Sequence, residues 1–159
     1  MIDAAQIEEW SLGRQRVIIW PDGAWSDGTI LLGPERIDLP ESFLEIAGQA
    51  PGDYVLRKGN WRFHGEVVVA DWEELVPDQK AQEEYDHLGE MKCNYGVSMR
   101  WGDDGVMVPL TTHENGLVWN VDISYWDVLR RERIDIRGWK HDLPLILEKN
   151  RRVVGLLMP

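Results

Sequence analysis

Residues 16–32 read RVIIWPDGAWSDGTILL, and this stretch decides the fold. It begins with a β-branched run, which is typical of a strand, and it ends with a second short apolar run. Between these runs lie PDG at 21–23 and SDG at 26–28, two combinations that favour tight turns. Strands joined by tight turns pair in antiparallel fashion. The stretch therefore predicts the beginning of an antiparallel sheet.

Other parts of the chain repeat this pattern of apolar runs separated by turn residues. Gly59-Asn60 is typical of a two-residue hairpin turn. Pro109 should end its strand or place it at a sheet edge, because proline has no N–H to donate. A lone strand is expected at 117–121, and the predicted hairpins pair residues 53–58 with 61–70, 95–101 with 106–110, and 145–147 with 153–157.

Four short helices complete the predicted fold. Asp3, Asp78 and Asp122 each precede a run with helical spacing and can cap it, since aspartate is a favoured N-cap residue. The predicted helices span residues 3–13, 40–47, 78–88 and 123–132. Hairpins and short helices together predict a single α+β domain over residues 1–159, with a mostly antiparallel sheet. If the chain has two lobes, their boundary should lie near 77–89.

Length and composition are those of an ordinary globular protein. The chain has 159 residues, of which 43% are hydrophobic and 28% are charged. Cys93 is the only cysteine, which excludes an intramolecular disulfide and a cysteine-rich zinc site. The N-terminus lacks the pattern of a secretory signal, and no apolar run approaches the about 20 residues that span a bilayer. These features predict a cytoplasmic protein.

The charge is strongly negative and uneven. Lys and Arg number 17 and Asp and Glu number 28, which gives a net charge of −11. We therefore expect neither nucleic acid nor a membrane as a direct partner, because both carry anionic phosphates. Residues 66–90 contain nine acids and a single base, Lys80. This density favours a partner protein with a basic surface, although a solvated face that keeps the chain soluble would look the same.

Tryptophan supplies nine of the fifteen aromatic residues. Tryptophan is favoured at interfaces, and it also fills the cores of β-rich domains. The residues predicted to bind a partner combine the acidic run with two tryptophans: Glu73, Glu74, Asp78, Glu83, Glu84, Asp86, Glu90, Trp25 and Trp72.

A smaller basic cluster lies near the C-terminus. Its members are Arg130, Arg131, Arg133, Arg137 and Lys140. Glu132 and Asp135 are interleaved with them, so local salt bridges explain this cluster as well as a ligand does.

Recognised catalytic signatures are absent from the sequence. It contains no phosphate-binding glycine loop and no calcium-loop pattern, and Cys93 lacks a marked catalytic triad. We therefore predict no cofactor and no metal. If the chain is an enzyme with an unrecognised site, the candidate catalytic residues lie on turns and on the polar face of a hairpin. They are His64, Asp103, Asp104 and His113.

These patterns favour a non-enzymatic intracellular binding protein over an enzyme. Small size, an acidic segment and many tryptophans are typical of acidic inhibitors, toxin-immunity proteins and phage anti-defence proteins of the anti-CRISPR type. Such a protein would block a basic surface, including that of a nucleic-acid-binding enzyme or complex. The alternatives are an enzyme with a His/Asp site and an assembly subunit of a virion or secretion apparatus. The sequence does not distinguish a monomer from a dimer.

Overall fold

The fold was analysed in a computed structural model of the chain. It describes residues 1–12, 14, 16–49, 52–57, 60–65, 71–93, 96–97, 100–102, 105–112 and 116–159. Contacts between residues divide the chain into two compact units, Met1–Pro77 and Asp78–Pro159, called unit 1 and unit 2 below. Both contain short helices and antiparallel strands, which confirms the predicted α+β class. The extent of the domain stays a prediction.

Unit 1 is built around a sheet in which each strand pairs antiparallel with its neighbours. The strand order is β5-β4-β1-β2-β3. The helices are α1 (Ala4–Leu12) and α2 (Glu41–Gln49), and the strands are β1 (Arg16–Ile19), β2 (Trp25–Ser26), β3 (Ile30–Leu32), β4 (Gly52–Arg57) and β5 (Asn60–Gly65). Both predicted helices, the predicted strands around residues 16–32 and the hairpin of β4 and β5 are thus confirmed. The predicted turn at Gly59-Asn60 is wrong by one residue, because Asn60 begins β5 opposite Arg57. Residues 66–70 of that hairpin prediction lie outside the described residues.

Glycines with positive φ and short polar side chains form the two turns of unit 1 that the sequence predicted. Gly23 and Gly28 have φ of 94° and 89°, a region that favours glycine. Asp27 is buried, and its Oδ1 accepts hydrogen bonds from the N–H groups of Thr29 and Ile30, both at 2.9 Å. The Ser26 Oγ accepts another from the Gly28 N–H at 3.1 Å. The turns are therefore fixed by local hydrogen bonds, as Asx turns are.

Tryptophan and aliphatic side chains fill the core of unit 1. Trp10 of α1 stacks on Trp25 of β2, with ring centroids 6.1 Å apart. Ile7, on the same face of α1, and Phe43 of α2 are also buried. Asp3 caps α1, since its Oδ1 accepts a hydrogen bond from the Gln6 N–H at 2.9 Å, as the sequence predicted. Trp10 and Ile7 of α1 and Phe43 of α2 therefore belong to the core of unit 1.

Unit 2 contains two main antiparallel sheets and a two-stranded pair. One sheet has the order β15-β14-β13-β6 and the other has β10-β11-β12, with β7 also paired to β11. The helices are α3 (Gln79–Gln82) and α4 (Ile123–Arg131), and the strands are β6 (Asp86–His87), β7 (Gly89–Glu90), β8 (Lys92–Cys93), β9 (Gly96–Val97), β10 (Arg100–Gly102), β11 (Gly105–Thr111), β12 (Val118–Asp122), β13 (Asp135–Gly138), β14 (Leu145–Lys149) and β15 (Arg152–Leu157).

The predicted helix over 78–88 is wrong in length. Asp78 caps α3 as expected, with its Oδ1 accepting from the Ala81 N–H at 2.8 Å, but the helix ends at Gln82. The chain then extends into β6, and the Leu88 N–H donates to the Ile136 carbonyl of β13 at 2.9 Å. A narrow apolar stripe supports a helix less well than pairing with a sheet edge does.

Pro109 lies inside β11, which does not end there. On one side β11 pairs with β12 along its length, including Pro109 opposite Asn120. On the other side β10 pairs with residues up to Met107, and β7 pairs from Leu110 onward. Pro109 therefore lies at the gap between the residues that pair with β10 and those that pair with β7. At this position the missing N–H removes no hydrogen bond from a strand pair.

Two left-handed positions in unit 2 are occupied by arginine. Arg133 (φ 56°) follows α4 in a Schellman motif, in which the Ile134 N–H donates to the Leu129 carbonyl at 2.9 Å. Asn150 (φ 52°) and Arg151 (φ 62°) form the two-residue turn between β14 and β15. Positive φ at both positions is the type I′ geometry that suits a tight hairpin.

Candidate protein-binding surface

Exposed carboxylates are concentrated in residues 71–86. We call them the acidic segment: Asp71, Glu73, Glu74, Asp78, Glu83 and Glu84, which are exposed, and Asp86, which is half-buried. The first three belong to unit 1 and the others to unit 2. In the part of the chain that the structure describes, none of these side chains forms an ion pair. Among the described residues, their negative charge is thus not compensated by an ion pair.

In unit 1, a buried tryptophan holds the acidic segment in place. Glu73 and Glu74 lie on a 3-10 turn, Trp72–Leu75. Trp72 is buried, and its Nε1 donates a hydrogen bond to the Asp22 Oδ2 at 2.9 Å. Leu75 on the same turn is 43% exposed. An apolar side chain among exposed carboxylates is the combination that protein interfaces use, with apolar contact supplying affinity and charge supplying orientation.

In unit 2, Arg137 fixes the acidic segment to the sheet. Its Nη2 donates to the carbonyl of Gln82 at 2.6 Å and to that of Tyr85 at 2.8 Å. Its Nη1 donates to Glu148 Oε2 of β14 at 2.9 Å. Hydrogen bonds from a charged donor are stronger than neutral ones, so this guanidinium positions the loop that carries Glu83. The exposed acids therefore stand on a fixed backbone.

Tyr85 also holds the loop that carries Glu83, through its ring. Its ring is buried and meets Trp139 edge-on, with centroids 6.0 Å apart. Burial raises the pKa of the Tyr85 hydroxyl above its ordinary value of 10.0, and the nearby Asp142 carboxylate raises it further. The hydroxyl has no hydrogen-bond partner among the described residues. Tyr85 therefore acts through its ring and stays neutral at physiological pH.

Glu90, which the sequence analysis placed among the partner-binding residues, is engaged within unit 2. Its Oε1 accepts hydrogen bonds from the Trp126 Nε1 at 2.9 Å and from the Arg130 Nη1 at 2.7 Å. Its side chain is only 14% exposed. Glu90 thus joins β7 to α4, and we leave it out of the proposed surface.

The two tryptophans of the predicted binding set lie in the interior. Trp25 is 0% exposed and Trp72 is 6% exposed. A partner at the surface does not reach a side chain with so little exposed area. We therefore leave both tryptophans out of the proposed surface, although Trp72 supports it through its bond to Asp22.

Of the four candidate catalytic residues, the structure describes only the backbone position of His64. His64 lies in β5, next to Phe63, which pairs with Tyr54 of β4. Asp103, Asp104 and His113 lie outside the described residues. The described ranges contain no group of three or more metal-ligating side chains. No helix in the described ranges is both long enough and apolar enough to cross a bilayer. The enzyme alternative stays a prediction.

Comparison with protein-family models, with curated proteins and with solved structures finds no match for this chain. The arrangement of its own residues therefore carries the functional argument. One more feature of unit 2 lies outside the predicted binding residues. Four arginines are exposed and form no ion pair within the described ranges, namely Arg131, Arg133, Arg151 and Arg152. For Arg131 and Arg133 the sequence left local salt bridges and a ligand as equal explanations, and it assigned no role to the side chains of Arg151 and Arg152.

Proposed function

We propose that this chain is a non-enzymatic binding protein whose acidic segment binds a basic surface of another protein. One observation carries the proposal: the exposed carboxylates of this segment have no cationic partner in the part of the chain that the structure describes. Glu73 and Glu74 are consecutive in unit 1, and Glu83 and Glu84 are consecutive in unit 2. Neighbouring like charges repel one another, and a cationic surface relieves that repulsion on binding.

The kind of partner follows from this chemistry. A nucleic-acid-binding enzyme or complex offers a dense basic surface, since it must contact phosphates. An acidic protein that occupies such a surface acts as an inhibitor, in the manner of an immunity or phage anti-defence (anti-CRISPR-like) protein. The proposal includes a cytoplasmic location, where such targets lie. Its support is the exposure and charge of Glu73, Glu74, Glu83 and Glu84 and the apolar contact offered by Leu75.

The test is charge reversal with a matched control. One variant carries Glu83→Lys, Glu84→Lys and Asp86→Lys. The control carries Glu8→Lys, Glu9→Lys and Glu45→Lys, which are exposed acids of α1 and α2 and change the net charge equally. Each protein is used to capture partners from the native host at about 50 mM and about 500 mM salt, because salt screens exposed charges.

We expect a basic protein that the natural chain and the control both retain at low salt and that the first variant loses. With this partner purified, association with the first variant should be at least about tenfold slower at low salt. A partner that the first variant retains would remove the unit 2 carboxylates from the interface. If both variants lose the partner equally, net charge explains the binding and the acidic segment has no specific role in it.

A further inference from the structure

Four exposed arginines of unit 2 form no ion pair with the acids that the structure describes, although the chain as a whole is acidic. We call Arg131, Arg133, Arg151 and Arg152 the arginine surface. Nearby arginines behave differently: Arg130 pairs with Glu90 at 2.7 Å, and Arg137 pairs with Glu148 at 2.9 Å. The arginine surface thus keeps its guanidinium groups free of acids in the described ranges.

Backbone register brings these arginines together from two elements. Lys149 Nζ donates to the Glu132 carbonyl at 2.6 Å, which ties the end of α4 to the end of β14. Asp135 of β13 pairs with Glu148 of β14, so Arg133, two residues earlier, lies beside the turn that carries Arg151. Neighbouring strands are about 5 Å apart, so the backbones of Arg133 and Arg151 lie side by side, and Arg131 and Arg152 are within two residues of them along the chain.

The local conformation is unfavourable for the residues found there. Arg133 and Arg151 have φ of 56° and 62°, where glycine is less strained than any residue with a Cβ. Lys149 stands directly opposite Arg152, and like charges in such a pair are destabilising. The two left-handed arginines and the like-charge pair thus work against stability, while the arginines stay exposed. A role in binding an anion accounts for all of them.

We infer that the arginine surface binds the phosphate backbone of a nucleic-acid duplex. A guanidinium matches the two oxygens of a phosphate with paired N–H donors. A duplex presents its phosphates in fixed positions, whereas an acidic protein would have to order several flexible side chains for the same contacts. The Trp126 ring is already covered by Arg130, whose Cζ lies 5.6 Å from the ring centroid. This favours contact with the backbone over stacking on unpaired bases.

The net charge of −11 lies mostly elsewhere. Unit 1 has 6 basic against 14 acidic residues and carries −8, whereas unit 2 has 11 against 14 and carries −3. At physiological salt, charges farther apart than about 8 Å are largely screened, so local charge governs contact with phosphates. Asp135, two residues after Arg133, is also exposed and carries the opposite charge. We therefore assign the phosphate contacts to the four arginines alone. The inference is independent of the proposed function, although a nucleic-acid complex would offer both kinds of surface.

The experiment measures fluorescence anisotropy of a labelled duplex DNA and a labelled duplex RNA, titrated with the full chain between 50 and 200 mM salt, a range of about fourfold. With four phosphates contacted, the logarithm of affinity should fall against the logarithm of salt with a slope of about −3.6. The variant Arg133→Gly/Arg151→Gly removes two charges at positions whose backbone suits glycine, so it should fold at least as well.

For this variant we expect at least about tenfold weaker binding at low salt and a slope near about −1.8. The control Lys80→Gln/Lys140→Gln removes two exposed charges elsewhere in unit 2 and should keep the natural slope. No binding of either duplex, or equal weakening by both variants, overturns the inference. So does binding of poly-glutamate in place of the duplexes, which would identify an acidic protein as the partner.

Discussion

Two turn regions of this chain solve the same geometric problem in different ways. In unit 1, Gly28 takes the positive φ, and the buried Asp27 carboxylate accepts the N–H groups that the turn leaves unpaired. In unit 2, the turn between β14 and β15 places Asn150 and Arg151 at positive φ. The first turn uses residues that stabilise it, and the second keeps a cation at a position where glycine is favoured. The difference separates a turn that serves folding from one that displays a side chain.

The largest effect should come from the carboxylate of the first turn. Asp27→Ala leaves the buried Ile30 N–H without its acceptor and removes an ion pair with Arg14 at 3.7 Å. We expect the free energy of unfolding to fall by about 3 kcal/mol, measured by urea denaturation. Asp38→Ala, at an exposed position, is the control and should change it by less than about 0.5 kcal/mol. Equal losses from both would mean that Asp27 does not hold this turn.

The next effect tests the backbone alone. Gly28 has φ of 89°, and a Cβ there would meet no atom within 4 Å. Gly28→Ala should therefore destabilise through backbone strain, by about 1–2 kcal/mol. Gly89 is equally open and has no positive φ, so Gly89→Ala serves as the control and should stay within about 0.5 kcal/mol of the natural chain. An unchanged midpoint for Gly28→Ala would contradict the assigned strain.

The smallest effect has the opposite sign and sharpens the contrast. Arg151→Gly should stabilise unit 2 by about 0.5–1 kcal/mol, because glycine adopts φ near 62° without strain. Arg152→Gly removes the same charge from strand β15. Glycine weakens a strand, and relief of the like-charge pair with Lys149 offsets part of that loss, so this variant should be destabilised by less than about 0.5 kcal/mol. Thermal unfolding of the two variants gives the comparison. Destabilisation by Arg151→Gly would show that the arginine serves folding after all.

Local signals explain why much of the fold could be predicted. The turns at 21–23 and 26–28 and the caps Asp3 and Asp122 depend on residues within a few positions of one another, and each lies where the sequence placed it. The sequence analysis did not predict β13, although Asp135–Gly138 alternate between exposed or half-buried and buried positions. Four residues are too few for this alternation to indicate a strand, and the partners β6 and β14 are supplied by other segments.

The proposed binding surface was less predictable than the fold for a related reason. Charge alone identified Glu73 and Glu83 as well as Glu90, yet Glu90 is engaged by Arg130 from 40 residues away. Conversely, Arg131 and Arg133 have acids beside them in sequence but no ion pair with them among the described contacts. Ion pairing depends on side-chain direction and distance, which a linear sequence does not contain.

The guanidinium of Arg137 has a consequence for local opening. Because it holds the carbonyls of Gln82 and Tyr85 from within strand β13, the acidic loop and the sheet edge share one set of hydrogen bonds. Fluctuations that release the loop break contacts that it shares with the strand, so we expect the two to exchange their amide protons as one cooperative unit. A highly charged surface loop would ordinarily be an early point of cleavage by proteases. Here its resistance is set by the sheet to which one arginine fastens it.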